Sequence, residues 1–185
     1  ALKQLKKVEE VQVVAIDNEV KELLFKIGND VSDEPRISAV NLLKNRIDKI
    51  TGTSLLDFEI PYGPVKKYLY EPNAAIRKAG LYPALAKQYD LIKIHPNSHL
   101  FTSDALINFP GRTFLVEKQM KYSPRKIKKE LNLDRAHVTT RNFHDSVALI
   151  RKRTGIKEGG DTYLFFTTDY RGKSTVMVCK KADAS

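Results

Sequence analysis

The stretch FPGRTFLVEKQMKYSPRKIKKELNLDRAHVTTRNFHD, residues 109–145, sets the architecture of the second part of the chain. Pro110-Gly111-Arg112 at its head reads as a tight turn, with glycine where the backbone takes positive φ or approaches a neighbour closely. Residues 113–119 form a strand pattern. Ser123 then stands where a helix needs an N-cap, with Pro124 at the first helical position. Ile127 and Leu131 give that helix one narrow apolar stripe. At 100° per residue Arg125, Lys126, Lys128 and Lys129 fall off the stripe and face solvent. Residues 136–140 return as a strand. His144 or Asp145 opens a further helix with Val147, Ile150 and Thr154 inward, ended by Gly155 and Gly159-Gly160. Two β-rich runs follow, TYLFFTT (162–168) and STVMVC (174–179), joined by a hairpin turn at Tyr170-Arg171-Gly172-Lys173. The pattern from residue 113 is β-α-β-α-β-β, an α/β sheet domain.

Upstream, VQVVAI (11–16) reads as a buried strand. Val20, Leu23, Leu24 and Ile27 then fall at i, i+3, i+4 and i+7, which predicts a helix capped by Asp17 and ended by Gly28-Asn29. Residues 29–35 form a polar loop, 36–43 a second strand and 55–60 a third; 44–53 fits either helix or strand. With residues 1–8 read as helix, the start of the chain is α-β-α-β-β, a split α/β unit of ferredoxin-like character. Pro61-Tyr62-Gly63-Pro64 breaks the pattern and places a boundary, giving units 1–63 and 64–185. Beyond it, residues 68–71 lead to Pro72 at the start of a helix stopped by Gly80. A second short helix covers 83–89, with short strands at 91–94 and 99–102.

Composition bounds the function. Apolar residues at 42% and charged residues at 29% describe a globular chain rather than a disordered one. No apolar run nears the roughly 18 residues of a membrane span, and ALKQLKKVEE is no signal peptide. Cytoplasm is the default setting, with no membrane partner. The single cysteine, Cys179, excludes an internal disulfide and any multi-cysteine metal site, and its VMVC context makes it a small core residue. The opening ALKQLKKV resembles the middle of an amphipathic helix, so a piece of a longer protein is expected; a processed start is the alternative.

The formal net charge is +10. Residues 1–109 hold 15 Lys/Arg against 14 Asp/Glu, and residues 110–185 hold 17 against 8, so the excess lies almost wholly in the second part. Such asymmetry points to polyanionic partners. The candidate contacts are Arg112, Lys121, Arg125, Lys126, Lys128, Lys129, Arg135, Arg141, Arg151 and Lys152. Lysine and arginine neutralise phosphate and release its counterions, and arginine also binds it bidentately. A solvated helix face is the plain alternative for the lysines, and a turn-anchoring ion pair for Arg112. Arg141-Asn142-Phe143 joins a cation, an amide and a ring, the groups that single-stranded RNA recognition uses, though Phe143 taken singly reads first as a packed core residue. His95 and His99 flank a turn and lack the partners of a metal site. His144 beside Asp145 has no nucleophile near it in sequence and reads as a cap. There is no GxGxxG, GxxxxGK[ST] or GxSxG. No catalytic residue, metal or cofactor is assigned to these 185 residues.

Six blocks in order carry a family resemblance: DNEVKELLF (17–25), YLYEPNAAIRKA (68–79), HPNSHLFTS (95–103), FPGRTF (109–114), RNFHDSV (141–147) and GGDTYLFFTT (159–168). Together they resemble the carboxy-terminal half of bacterial, Bacteroidetes-type class I SAM-dependent methyltransferases that carry a THUMP-like domain. Members often have Cys where Val20 stands and Pro where His144 stands, which gives neither side chain a required role. The resemblance implies an upstream methyltransferase domain that holds SAM, then a ferredoxin-like domain, then the THUMP-like domain. It implies RNA, tRNA or rRNA, as partner, and it favours Arg112 and Arg141 over the lysine helix. The alternative function is a docking module that stabilises the methyltransferase domain in the same chain without binding RNA.

Overall fold

A computed structural model describes residues 7–28, 34–53 and 58–183. The expected first helix (1–8) and the expected strand at 55–60 fall largely outside them; residues 58–60 are not in a strand. The chain forms two compact units, residues 1–60 with 72–91 and residues 61–71 with 92–185. The return of 72–91 to the first unit was not foreseen.

The first unit is a four-stranded sheet backed by two helices. Its strands are β1 (Val8–Ile16), β2 (Glu19–Ile27), β3 (Arg36–Leu42) and β4 (Ile47–Thr53), in the order β2-β1-β3-β4. β1 and β3 run parallel; the outer pairs are antiparallel. The helix predicted over 20–27 is β2 instead. Ile16 pairs with Glu19 across a two-residue loop, Asp17-Asn18, with φ of 47° and 66°. That is the positive-φ pair of a tight hairpin, and aspartate and asparagine tolerate it better than other side chains. Helices α1 (Ala74–Ala79) and α2 (Tyr82–Tyr89) cover one face, α1 on β1 and β3 and α2 on β4. Val11, Val13, Ala15, Ala39 and Ile50 are buried there with Ile76 and Leu85. A Cβ at Gly52 would meet Ala84 Cβ at 3.0 Å, so a side chain there would need α2 to give by a few tenths of an ångström. Asn73, not Pro72, starts α1: its side chain accepts from Ile76 N at 3.1 Å. Asn18 Oδ1 accepts from Ala74 N at 2.7 Å and ties the hairpin to the helix.

The second unit is a seven-stranded sheet, β6-β7-β5-β8-β11-β10-β9. It is built from β5 (Tyr68–Pro72), β6 (Ile92–Lys93), β7 (Phe101–Ser103), β8 (Gly111–Lys121), β9 (His137–Arg141), β10 (Thr162–Thr168) and β11 (Ser174–Lys181). Helix α3 (Pro124–Leu131) joins β8 to β9, and α4 (Val147–Thr154) joins β9 to its parallel neighbour β10. The order from residue 111 is the expected β-α-β-α-β-β. Strand alternation separates two cores. Val138, Leu164, Phe166, Val176 and Val178 pack with Ile127 and Ile150 of the helices. Phe114, Phe165, Met177 and Cys179 pack on the other face with Leu69, Ile94 and Leu100. Two local expectations are corrected. The cap of α4 is Ser146, whose Oγ accepts from Leu149 N at 3.2 Å, and not His144 or Asp145. Gly111 has no positive φ; it opens β8.

Candidate nucleic-acid interface

Helix α3 is short, and one of its residues, Ile127, is fully buried. The Ser123 side chain accepts from Lys126 N at 3.5 Å, a long cap bond, and Pro124 sets the first helical φ. Arg125, Lys126, Lys128 and Lys129 are all exposed, as the stripe of Ile127 and Leu131 requires. None of the four has an ion-pair partner among the described residues; the acid of this helix, Glu130, is taken by Lys118 at 2.9 Å. Lys121, at the end of β8, and Lys152, on α4, are likewise exposed and unpaired.

The remaining candidates are engaged. Arg151 donates to Ile156 O (3.0 Å) and Ala136 O (3.2 Å) and pairs with Glu158. It closes the loop after α4. Arg135 donates to Glu158 O at 3.1 Å, and Gly159 and Gly160 pack over its side chain. Arg112 and Arg141 converge on one carboxylate. Arg112 Nε reaches Glu71 Oε2 at 2.7 Å and Arg141 Nε reaches Glu71 Oε1 at 2.8 Å, and the Nη2 of each donates to the same oxygen. Glu71 is 4% exposed, against 42% and 30% for the two arginine side chains. Four strand steps separate β5 from β9, roughly 19 Å in a flat sheet. The length of the arginine and glutamate side chains, with the ordinary twist of a sheet, spans that separation. Asn142 Nδ2 lies 3.0 Å from His95 Nδ1 at the same end.

Sequence reading missed a second buried acid. Asp145 accepts from Tyr122 Oη at 2.6 Å and from Arg153 at 2.5 Å, with His144 Nε2 at 3.6 Å. The Tyr122 hydrogen bond, helped by the charges of Arg153 and His144, holds the Asp145 carboxyl below the usual aspartate range against the opposing push of burial. Burial first, and the bond to Asp145 second, raise the Tyr122 phenol. Asp145 lies within the resemblance block RNFHDSV, but a partner 23 residues away leaves no mark in sequence spacing. Phe143 packs edge-on against Tyr122 and Phe166, with centroids at 5.0 and 5.7 Å, and is not free to stack on a base. Cys179 is buried and its thiol is pushed up to about 12 by that burial. Among the described residues no group of three or more His, Cys, Asp and Glu side chains could hold a metal ion.

Residues 111–181 match a family described as THUMP domain-like. Residues 68–110 match a ferredoxin-like domain family. The fold is thus a mixed α/β one, largely of strands, with a ferredoxin-like and a THUMP-like domain. All ten candidate cations lie in the THUMP-like residues, while Glu71 belongs to the ferredoxin-like match. The node Glu71–Arg112–Arg141 therefore bonds one matched segment to the other. The ferredoxin-like match falls after residue 67 and not on the four-stranded segment. The chain is also similar to a solved structure, that of a "putative methyltransferase" from Porphyromonas gingivalis W83. Identity is 36% and the TM-score 0.91, covering 98% of this chain and 48% of that one. The chain spans about half the length of that relative. No curated protein matches it. Among the described residues no helix is long and apolar enough to cross a membrane.

Proposed function

We propose that this chain binds RNA through the THUMP-like domain, and that it is the substrate-presenting part of a SAM-dependent methyltransferase whose catalytic domain and SAM site lie outside these residues. The observation that carries the reading is the outer face of α3: four exposed cations with no ion-pair partner among the described residues, the helix's one acid, Glu130, being bonded to Lys118, with Lys121 just before the helix and Lys152 exposed on α4. An unpaired lysine keeps its full charge for a phosphate, whereas one already in an ion pair must first break that pair. The grip is therefore assigned to Lys121, Arg125, Lys126, Lys128, Lys129 and Lys152. Arg112, Arg135, Arg141 and Arg151, each already bonded within the fold, are assigned to its support. The match to a methyltransferase-described relative over half its length supports the place in a longer enzyme.

The test is a fluorescence titration with tRNA and rRNA fragments at several salt concentrations. The logarithm of affinity should fall linearly with that of salt, and Lys126→Glu with Lys129→Glu should weaken binding to all sequences alike and lower the slope by about one per lost contact. Absence of binding at low salt refutes the reading.

A second reading, docking to the methyltransferase domain without RNA, is favoured by exposed apolar residues on the face of the four-stranded sheet opposite α1 and α2. Ile16, Leu24 and Ile47 share that face at 45%, 46% and 67% exposure. In that case the lysine variants leave the enzyme intact, while Ile47→Glu separates the two domains in co-purification.

A further inference from the structure

We propose that the cleft between the C-terminal ends of α3 and α4 receives one amino-bearing nucleobase of the RNA strand held by the neighbouring lysines. This rests on the RNA reading above and adds a pocket to its charged face. The cleft has a volume of about 240 Å³. That is below the ~300–1,000 Å³ of sites for drug-sized ligands, and suits a single heterocycle. Its floor is apolar, from Ile127, Leu133 and Ile156; its rim carries Lys128, Asn132 and Asp134.

The rim is rich in acceptors. Helices α1, α2 and α4 each close with a hydrogen bond from the C-cap N–H, to Ile76 O, Ala86 O and Arg151 O. Helix α3 ends at Asn132, in the left-handed region with φ 43°, and has no such bond among the described residues. Among the described residues no bond from beyond the helix reaches the carbonyls of its last turn, at the negative end of the helix dipole. Asp134 adds an exposed carboxylate to the lining. These groups repel an anion. The apolar floor and the Lys128 ammonium disfavour a bare metal ion. A purely apolar group would leave the acceptors unused. A flat heterocycle with an exocyclic amine satisfies floor and rim together, while Lys128 and Lys129 lie on the same helix to take the phosphates that flank it. Cytosine, adenine and guanine carry that amine; uracil does not.

The experiment is methyl NMR on the full 185-residue chain with labelled isoleucines, titrated with cytidine and uridine 5′-monophosphates, which carry equal charge. The Ile127 and Ile156 methyl signals should move, with cytidine monophosphate binding about fivefold more tightly, the worth of one net hydrogen bond. Leu133→Trp, which fills the cleft from its floor, should abolish that difference and leave salt-dependent RNA binding in place. Equal response to both nucleotides, or two unmoved methyl signals at saturation, overturns the pocket. The comparison uses the unaltered chain, so it holds even where the tryptophan variant fails to fold. RNA binding with unmoved isoleucines refutes the pocket alone. Loss of RNA binding with the nucleotide preference intact refutes the lysine grip and leaves the pocket standing.

Discussion

Replacing Glu71 by Gln removes the charge on which Arg112 and Arg141 converge while keeping the shape of the side chain. Four N–H donors reach its two oxygens. Removing one partner of a fully buried pair costs about 3–5 kcal/mol, chiefly because the other charge stays buried without compensation. Here the survivors are 42% and 30% exposed, so both guanidiniums can turn into water. That reduces the expected loss to about 2–3 kcal/mol. For a chain of this length it corresponds to a fall in Tm of roughly 4–12 °C. Arg112→Met should cost less, about 1 kcal/mol, because Glu71 keeps Arg141. Urea unfolding gives the total. Hydrogen exchange gives the place: Arg141 is the tie between the end of β9 and β5, so the β9 amides should lose more protection than those of β8 and β11. A Glu71→Gln chain within about 0.5 kcal/mol of the parent, or an even loss of protection across the sheet, would refute the structural role of the node.

Tyr122→Phe should raise the Asp145 pKa toward its ordinary value, since the phenol is the largest cause of its depression. The stabilisation from Asp145 is complete above the unfolded aspartate value of about 3.9 and is lost as pH falls through the lower folded value; a carboxyl titration by NMR that is unchanged in the variant contradicts this. Cys179 should resist thiol reagents at pH 8 in the folded chain and react on unfolding, because burial holds its pKa at about 12; rapid labelling of the native protein tells against its burial. Ser146→Ala should destabilise the second unit by about 1 kcal/mol through loss of the α4 cap, read by urea unfolding. Ser123→Ala should cost less, because its bond to Lys126 N is already 3.5 Å long.

The THUMP-like residues were legible because each element announces itself locally. Ser123-Pro124 starts α3, a single buried stripe defines its inner face, and two β-rich runs meet at a turn with Gly172 at φ 73°. The segment 19–27 was not. Its apolar residues fall at helical spacing, and the decisive signal is the Asp17-Asn18 pair, whose positive φ makes a hairpin. An edge strand with Leu23, Leu24 and Ile27 half-exposed satisfies neither a clean strand pattern nor a helical one. The return of residues 72–91 to the first unit was hidden too, because proline and glycine mark local breaks and carry no record of which sheet a helix covers.

By itself the sequence determined where the positive charge lies, which residues form α3, and which of its faces meets water. Those follow from composition and from a 3.6-residue period, both local quantities. Only the tertiary structure decided which cations are free. Arg112 and Arg141 stand 29 positions apart in sequence, and the partner that claims both, Glu71, lies 41 and 70 positions away on another strand of the same sheet. Charge can be counted along a chain, but whether it is neutralised depends on what lies within about 4 Å in space.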